Sequence, residues 1–453
     1  MSKVVNMGAI RPIHYLGSKL RMLEFINETI DSLDPSQGTV CDLFSGSGTV
    51  SKFLSQNRRV VSVDIQEYSR VICSALLNAG ALEISSDDFI ESVFISDNYR
   101  RLCDIFAPLI EYEAVAIASA RIGSIDNLYE IIEEGSLLKA EQLEVNGYSL
   151  PFYETLKTTV CNVRDNGLDN DERAMVTRYF GGLYFSYLQG LQIDAALETA
   201  HQITAEHTPQ RDILVAAILS ATSDIVNTVG KQFAQPLQVR DSKGKLKSNL
   251  RQKIVTDRTI NFFERLMHWI ALYNEQEPSL GNHEVIRADY RAALKDLRGK
   301  DISVIYADPP YTRYHYSRYY HVLETICLRD MPEISSTFVN QEGMSRGVYR
   351  KDRHQSPFSI KSQASEAFNQ LFEYASGINA PLVLSYSPFN NNQSATPRMQ
   401  MIDELIDKAK AFYSDVDVYS PGHFTHSKLN ITSRNFGTDT EAELLLVCKN
   451  RGR

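Results

Sequence analysis

The sequence predicts an α/β fold in which a mostly parallel sheet is interrupted by a long, mainly helical insertion. Short apolar runs alternate with helical patterns over residues 39–79, which is typical of parallel βα units. Helical apolar spacing then dominates residues 85–280, and strand patterns return after residue 281. The α/β domain is therefore predicted to be discontinuous, with residues 1–84 and 281–453 flanking an inserted domain of residues 85–280.

The individual elements follow from local patterns. Residues 39–44 and 59–65 are apolar runs that predict strands, and residues 49–56 and 69–79 predict the helices that follow them. Further strands are predicted at residues 283–286, 301–307, 380–386 and 443–448. In the insertion, residues 173–207 and 211–233 show helical spacing. Residues 238–253 hold six Lys or Arg and a glycine, which predicts a mobile basic loop.

Length and composition fit a folded protein of several domains. A chain of 453 residues is too long for one compact core, so two or three domains are expected. Hydrophobic residues make up 43% and charged residues 23%, which excludes an intrinsically disordered chain. The net charge of −9 argues against a globally basic nucleic-acid coat protein. A site-specific DNA enzyme needs only a local basic cleft.

Cysteine usage and the lack of long apolar runs predict a cytoplasmic protein. The six cysteines are scattered without a C-x-x-C pair or zinc-like spacing, as expected of reduced thiols. The first twelve residues lack an apolar signal core. No run approaches the roughly 20 apolar residues that a membrane span requires. We therefore expect no membrane association and no bound metal.

A glycine-containing turn, Ser45-Gly46-Ser47-Gly48, links the first predicted strand to its helix. Gly46 and Gly48 would let backbone amides approach a ligand at a helix N-terminus, where the dipole favours negative groups. Asp64 ends the next strand and is placed to accept hydrogen bonds from a ribose diol. An ordinary tight turn and a helix-capping carboxylate are the alternatives.

The strongest chemical signal is the tetrapeptide Asp308-Pro309-Pro310-Tyr311, which follows the predicted strand 301–307. Two prolines exclude a continuing strand and a normal helix entry, so they predict a rigid turn. The Asp308 carboxylate and the Pro309 carbonyl could accept hydrogen bonds from the N–H groups of an amine. These bonds would favour the pyramidal geometry of an attacking nitrogen. Tyr311 offers a stacking face for an extruded base, a contact worth about 1–3 kcal/mol. The alternative is a purely structural turn.

Basic residues near the tetrapeptide are candidate DNA contacts. Residues 312–320 interleave Arg313 and Arg318 with tyrosines, which suits phosphates and unstacked bases. An amphipathic helix with snorkelling arginines would give the same pattern. Residues 346–353, which include Arg350, form a second basic segment that is either a DNA contact or a solvated loop. The predicted basic loop adds Lys243, Lys245 and Lys247.

In the content and order of its motifs, the chain resembles the Dam-type family of adenine-specific DNA methyltransferases, and most closely its FokI-like branch. The matching segments are YLGSK at 15–19, DLFSGSG at 42–48, Asp64, YFGGLYFSYLQGLQID at 179–194, Asp289, DPPY at 308–311 and YHVLET at 320–325. The resemblance covers about residues 11–448. It implies a Rossmann-like methyltransferase domain that uses S-adenosylmethionine (AdoMet), with the insertion recognising the target in double-stranded DNA.

The resemblance also implies roles for individual residues. Lys19 suits the methionine carboxylate, and Tyr15, which replaces the tryptophan of Dam enzymes, suits the sulfonium or adenine ring. The implied AdoMet-binding set is Tyr15, Lys19, Asp42, Phe44, Gly46, Gly48, Asp64, Asp289 and Asp308. The implied catalytic set is Asp308, Pro309, Pro310 and Tyr311. Transfer would be a direct displacement without a metal, so three histidines are predicted to be structural or to contact DNA: His321, His423 and His426.

Three alternative functions fit parts of the sequence. Methylation of RNA adenine would use the same tetrapeptide, although no RNA-binding module is visible. A DNA-binding defence subunit without catalysis would be expected to lack Asp308 or the glycine turn, and both are present. Enzymes that methylate small molecules or protein glutamine usually carry Asn in place of Asp308. The sequence therefore favours site-specific DNA adenine methylation in restriction-modification, phage defence or epigenetic marking. A restriction endonuclease or a defence-system protein is a candidate partner.

Overall fold

The structure is a computed structural model that describes residues 10–141, 149–276, 281–313, 315–336, 344–387, 399–420 and 443–450. Its strands are β1 (Val40–Leu43), β2 (Val60–Asp64), β3 (Glu284–Arg287), β4 (Val304–Ala307), β5 (Leu382–Tyr386), β6 (Asp415–Tyr419) and β7 (Leu444–Lys449). They form one sheet in the order β3-β2-β1-β4-β5-β7-β6. The first five strands of that order are mutually parallel, and β7 is antiparallel to β5 and β6. The predicted α/β class with a mostly parallel, Rossmann-like sheet is confirmed.

The helices of the described residues fall into three groups. Near the N-terminus are α1 (Leu23–Leu33), α2 (Thr49–Leu54) and α3 (Glu67–Leu77). The region between α3 and β3 holds α4 (Ser86–Ile95), α5 (Asp97–Arg121), α6 (Asp126–Glu134), α7 (Leu137–Ala140), α8 (Leu150–Asp165), α9 (Met175–Phe180), α10 (Tyr187–Ile203), α11 (Pro209–Ile225), α12 (Arg251–Thr259) and α13 (Phe262–Asn274). The C-terminal part adds α14 (Tyr290–Asp296), α15 (Tyr316–Tyr319), α16 (His321–Leu328), α17 (Lys361–Ser376) and α18 (Ile402–Ala409).

Alternating side chains of the strands pack against helices on both faces of the sheet. Val40 and Val60 belong to a core that includes residues of α1 and α2. Cys41 and Val61 belong to a second core, which includes residues of α14, α17 and α18. Neighbouring strand residues point to opposite faces. Burial on both faces therefore explains why the parallel strands are almost continuous apolar runs.

The helices of residues 86–274 share a hydrophobic core with α3 and α16. Within it, α11 packs against α3 and α13, and α10 packs against α5 and α11. The predicted domain limits after residues 84 and 280 fall just before α4 and just before β3. The division into two domains stays a prediction. The helical region nevertheless rests directly on α3, the helix that follows Asp64.

Three elements differ from the sequence predictions. The helical segment 173–207 is interrupted between α9 and α10, where Gly182 has a φ of 77° and lies so close to Gly135 that a Cβ would clash. The segment 211–233 stays α-helical only to Ile225, the end of α11. Strand β6 was not predicted, because this half-buried edge strand alternates Asp with Val and contains no apolar run.

The predicted mobile basic loop at residues 238–253 is instead a hydrogen-bonded hairpin turn that leads into α12. The Asp241 carboxylate accepts hydrogen bonds from the backbone N–H groups of Lys243 at 2.8 Å and Lys245 at 2.9 Å. Lys247 N–H donates to the Val239 carbonyl at 2.8 Å. An Asp whose carboxylate accepts hydrogen bonds from the backbone N–H groups of the residues that follow it stabilises a tight turn. The prediction of a mobile loop considered only the density of basic residues and overlooked this turn. Within the described ranges, no helix is both long and apolar enough to cross a membrane.

Candidate active site

The carboxyl ends of β1, β2, β3 and β4 lie at one edge of the sheet. β1 pairs with β2 on one side and with β4 on the other, so the chain connections diverge beside β1. Open parallel sheets bind ligands at such a switch point, outside the carboxyl ends of the strands. The fold therefore brings the glycine turn after β1 to the same edge as Asp64, Asp289 and Asp308.

The turn after β1 has a left-handed backbone at Phe44 (φ 66°), Gly46 (φ 54°) and Gly48 (φ 72°). Gly48 is the N-cap of α2. A Cβ on Gly46 would lie 2.6 Å from the hydroxyl oxygen of Tyr15, so both the backbone conformation and the close approach require glycine. The Phe44 ring packs edge-on against Phe358, with 5.4 Å between ring centroids.

Asp64 joins the ends of three strands. Its Oδ2 accepts a hydrogen bond from Gly46 N–H and its Oδ1 accepts one from Gln66 N–H, both at 2.9 Å. Its backbone carbonyl accepts a hydrogen bond from Ala288, the residue after β3, at 2.9 Å. Burial raises the pKa of Asp64, although the backbone hydrogen bonds oppose this shift. Each carboxylate oxygen keeps a further lone pair with which it could accept a ligand hydroxyl.

Asp289 and Asp42 have structural partners. Asp289 is the N-cap of α14 and accepts hydrogen bonds from the backbone N–H of Arg291 at 3.0 Å and from its Nε at 2.7 Å. Asp42 is almost fully buried in β1 and accepts a 2.5 Å hydrogen bond from Ser51 of α2. Burial raises the pKa of Asp42 to about 7 against the effect of that hydrogen bond, and the charge of Asp308 raises it further. The predicted cofactor contacts of both residues stay predictions.

Tyr15 belongs to an aromatic cluster that connects the N-terminal segment to residues beyond the tetrapeptide. Its ring stacks on Tyr320 with 5.0 Å between centroids and contacts Tyr316 at 5.7 Å. The Tyr320 hydroxyl accepts a hydrogen bond from Leu16 N–H at 2.8 Å. Burial raises the pKa of Tyr15 well above its ordinary value, so the phenol is neutral. The cluster thereby fixes Tyr15 against the glycine turn.

Lys19 is the centre of a buried charge cluster. Its Nζ lies 2.8 Å from Asp308 Oδ2 and 2.6 Å from Glu443 Oε1. Burial alone would lower the pKa of Lys19, but the attraction of these two carboxylates outweighs it and raises the pKa well above its ordinary value. Burial raises the pKa of Asp308 to about 6, with Lys19 opposing the shift and Glu443 adding to it. Asp308 is therefore ionised at neutral pH.

The two prolines place their carbonyls differently. Pro309 is buried, and no described residue donates a hydrogen bond to its carbonyl. The Pro310 carbonyl accepts a hydrogen bond from Ser359 Oγ at 3.3 Å. Proline has no N–H and a fixed φ, so the turn leaves the sheet in one conformation directly after Asp308.

Tyr311 lies against the charge cluster. Its hydroxyl donates to Glu443 Oε1 at 3.3 Å, and its ring lies 4.9 Å from that of Tyr386 between centroids. Lys19 Nζ is 5.9 Å from the centre of the Tyr311 ring. The structure thus brings the predicted catalytic aromatic, the predicted catalytic carboxylate and the predicted AdoMet-binding lysine into one contact group.

Glu443 is a member of this group that the sequence analysis did not identify. It is buried, and Ser385 of β5 donates a 3.1 Å hydrogen bond to its Oε1. The only signal in the sequence is a charged residue directly before the apolar run of β7. Lys19 and Glu443 meet only because β7 inserts between β5 and β6, a pairing that no local pattern reveals.

The predicted DNA-binding arginines next to the tetrapeptide are both exposed. Arg313 forms no ion pair with any described residue. Arg318 donates from Nη2 to the hydroxyl of Tyr349 at 3.1 Å, and its guanidinium lies 4.7 Å from the centre of that ring. Both side chains are therefore accessible, and their DNA contacts stay predictions.

The predicted DNA-binding lysines lie on the hairpin of the helical region. Lys243 and Lys245 are exposed at its tip. Lys247 is partly buried, and its Nζ donates to the Gln238 carbonyl at 2.9 Å. The first two lysines can thus meet a partner freely, whereas Lys247 also serves to close the hairpin.

The prediction that Arg350 binds DNA is not supported. Arg350 is buried, and its two terminal nitrogens each lie 2.6 Å from an oxygen of Asp330. Nη1 also donates to Thr325 Oγ1 at 3.3 Å. This bidentate ion pair, between the buried Arg350 and the exposed Asp330, fixes the loop after α16 to that helix. Arg350 is therefore a structural residue.

His321 has the structural role that was one of its two predicted roles. It is fully buried, and its Nε2 lies 3.4 Å from the hydroxyl of Tyr184. Burial lowers the pKa of His321 well below its ordinary value, and nearby arginines add to this effect. The ring is therefore neutral. His423 and His426 lie outside the described residues, within which no group of His, Cys, Asp or Glu could hold a metal ion.

The amino-acid sequence is similar to those of known DNA methyltransferases. Residues 15–104 match the family of D12 class N6 adenine-specific DNA methyltransferases. Over 97% of its length, the chain is 24% identical to the modification methylase LlaI of Lactococcus lactis subsp. lactis. Over 83% of its length, it is 22% identical to the type II methyltransferase M.FokI of Planomicrobium okeanokoites.

These matches cover 55% of the LlaI protein and 44% of M.FokI, so the chain spans about half the length of these relatives. No solved structure gave a significant match. The matched segment contains Tyr15, Lys19, the glycine turn and Asp64, the N-terminal half of the candidate site. The resemblance inferred from the motifs is thereby confirmed: the chain is similar to the D12 class N6 adenine-specific DNA methyltransferases.

Proposed function

We propose that this protein transfers a methyl group from AdoMet to the exocyclic amine of an adenine in double-stranded DNA. The observation that carries the proposal is the contact group of Lys19, Asp308, Tyr311 and Glu443 at the switch point of the sheet. It places an ionised carboxylate, a backbone carbonyl and an aromatic ring within one turn of chain. An amine bound there meets acceptors for both of its hydrogens.

The neighbouring residues fit AdoMet. The Asp64 carboxylate can accept a hydrogen bond from a ribose hydroxyl. Because Gly46 has no side chain, AdoMet can approach the backbone of the turn closely. The neutral Tyr15 ring offers a face to a sulfonium or an adenine ring. When bound, AdoMet supplies an electrophilic methyl group on a positively charged sulfur. Phe44 and Asp289 lie after β1 and β3, on the side of the glycine turn where the adenosine part would extend.

Asp308 and Pro309 position the amine. The Asp308 carboxylate accepts one N–H, and it does so most strongly in its ionised form, which predominates above about pH 6. The Pro309 carbonyl accepts the second N–H, which leaves the nitrogen lone pair directed at the methyl group. Tyr311 stacks on the extruded base, since a base inside the duplex cannot reach the sheet edge. Holding the reacting atoms in line supplies most of the rate enhancement.

Lys19 orients Asp308 in this scheme. Its ammonium has three donors, and two of them point to Asp308 and Glu443. The third remains for the carboxylate of AdoMet, the role that the resemblance implies. With both neighbours ionised, the cluster carries one net negative charge. This charge favours the cation that forms at the amine nitrogen during transfer.

We further propose that the helical region of residues 85–280 recognises the target sequence, with the exposed Lys243 and Lys245 adding phosphate contacts. The relatives are a modification methylase and a type II methyltransferase, which favours a restriction-modification setting. The partner there would be a restriction endonuclease that cuts the unmethylated target.

The first experiment is long-read modification sequencing of genomic DNA from cells that express the wild type or the Asp308→Ala variant. We expect a sequence motif with methylated adenine in the wild type only. Asp308→Asn serves as a matched variant, because it keeps the side-chain shape and removes the charge. Full methylation by either variant would disprove the role of Asp308. No modified adenine in any sample would refute the proposed activity on DNA.

A further inference from the structure

Two arginines close to the tetrapeptide share one aromatic ring. The guanidinium carbon of Arg318 lies 4.7 Å and that of Arg353 5.3 Å from the centre of the Tyr349 ring. Arg318 belongs to α15, a few residues after Tyr311, and Arg353 follows the structural ion pair of Arg350. Two like charges are thereby held next to each other beside the candidate active site.

Neither guanidinium is paired with an acid. Among the described residues, Arg318 and Arg353 take part in no ion pair. Arg318 donates only to neutral oxygens, the Ala234 carbonyl at 3.3 Å and the Tyr349 hydroxyl at 3.1 Å. Nη1 of Arg353 is inaccessible to solvent and has no hydrogen-bond partner in this part of the chain. The nearby carboxylate of Asp330 is already occupied by Arg350.

Two histidines border the arginine pair. His315 and His321 lie next to the two arginines, and each has a buried Nδ1 without a hydrogen-bond partner among the described residues. Burial lowers the pKa of His315, and the charges of Arg353 and Arg318 lower it further. Burial also lowers the pKa of Arg353, with Arg318 adding to the shift. Both shifts agree with a local concentration of positive charge, which no ion pair among the described residues balances.

A buried polar group without a partner destabilises the folded protein, and more so when it is charged. Such groups in a folded protein therefore call for a ligand. The ligand must be an anion that accepts hydrogen bonds from a planar guanidinium, which is what a phosphodiester does. Within the candidate site, the cation beside the proposed AdoMet position is Lys19. The arginine pair instead lies beyond the tetrapeptide, where the backbone of an extruded nucleotide would pass.

We propose that the partly exposed Arg353 and the exposed Arg318, which are held together by the Tyr349 ring, bind one DNA phosphate next to the flipped adenine. This inference rests on the proposed function, because it takes the ligand to be the DNA substrate. Arg353 is the principal residue, since Arg318 already has two hydrogen-bond acceptors. The Tyr349 ring holds both guanidinium groups in place before DNA arrives, which lowers the entropic cost of ordering them on binding.

The test compares Arg353→Met and Arg318→Met with Lys351→Met, a control that removes an exposed cation paired with Glu333 in the same segment. Binding of a fluorescent duplex that carries the target motif is measured by anisotropy at 50 and 200 mM salt. A lost phosphate contact reduces the salt dependence of the dissociation constant by about 3.5-fold over this range. We expect this reduction for Arg353→Met and no change for Lys351→Met. Arg353→Lys should keep most of the salt dependence, since it retains the charge.

Two controls separate the possible failures. Thermal unfolding identifies a variant that is merely misfolded, and AdoMet affinity by calorimetry should be the same in wild type and Arg353→Met. If the wild type methylates and binds DNA but Arg353→Met and Arg318→Met keep the full salt dependence, the phosphate site is wrong and the proposed function stands. A loss of AdoMet affinity without a change in DNA binding also overturns the site. If the wild type neither methylates nor binds duplex DNA, both proposals fall.

Discussion

Glu443→Gln tests the buried charge cluster most directly. The substitution keeps the side-chain shape and a carbonyl oxygen for Lys19, but it removes one negative charge beside Asp308. Both carboxylate oxygens lie within 2.8 Å of the same nitrogen, so they are at most about 5.5 Å apart. At an effective dielectric constant of about 20, two unit charges at that distance interact by roughly 3 kcal/mol.

That repulsion raises the pKa of Asp308 in the wild type. Its removal should lower the pKa by about one to two pH units, since one unit corresponds to about 1.4 kcal/mol. The ionised carboxylate of Asp308 is the stronger acceptor of an amine N–H, and protonation removes the charge that favours a cation at the nitrogen. We therefore expect activity to decline as the pH falls through this pKa. The wild-type rate should therefore decline below about pH 6. The variant should keep its activity to a lower pH.

The assay is single-turnover transfer of a radiolabelled methyl group to the target duplex between pH 5 and 8, which avoids product release. Glu28→Gln is the matched control, because Glu28 is exposed on α1 and loses the same charge. It should reproduce the wild-type profile. An acidic limb at the same pH in Glu443→Gln and wild type, or one moved to higher pH, would refute the electrostatic role of Glu443.

Three further predictions follow from the same geometry. Gly46→Ala should abolish AdoMet binding in calorimetry, because its Cβ would collide with Tyr15 at a backbone φ of 54°; retained affinity would contradict the close approach. Glu324→Gln should lower the free energy of unfolding in urea by about 1–3 kcal/mol, because its carboxylate accepts the N–H groups of Glu67 and Tyr68 at the start of α3. Neutralising Lys243, Lys245 and Lys247 together should weaken DNA binding and flatten its salt dependence. Unchanged binding at two salt concentrations would mean that these lysines are solvated and do not contact DNA.

Much of the catalytic region could be predicted because its signals are local. Six of the seven strands in the described residues were located from short apolar runs, and the glycine turn, Asp64 and Asp308 follow directly from the strands before them. In a parallel sheet, residues that end neighbouring strands meet at one edge. The sequence analysis located each of these residues at the end of a strand, and the parallel pairing of the strands brings them together.

The remaining features depend on partners that are distant in sequence. Glu443 joins the site only through the antiparallel pairing of β7 with β5, and Arg350 is structural only because Asp330 lies opposite it. The identity of a basic residue does not show whether its side chain contacts solvent, an acidic side chain or DNA. The hairpin at residues 238–253 shows the same limit, since the Asp241 side chain determines whether a basic segment forms an ordered turn.

Lys19 cannot hold an anionic ligand by its charge alone, because neighbouring carboxylates already neutralise that charge. Two carboxylates already lie within 2.8 Å of its ammonium, so the local charge is negative whenever both are ionised. A further carboxylate must then be held mainly by the remaining Lys19 donor and by backbone groups. In the proposed methyl transfer, the negative balance would instead favour the positive charge that moves from sulfur to nitrogen. In this arrangement Glu443, a residue that touches neither reactant, determines the charge that both reactants experience.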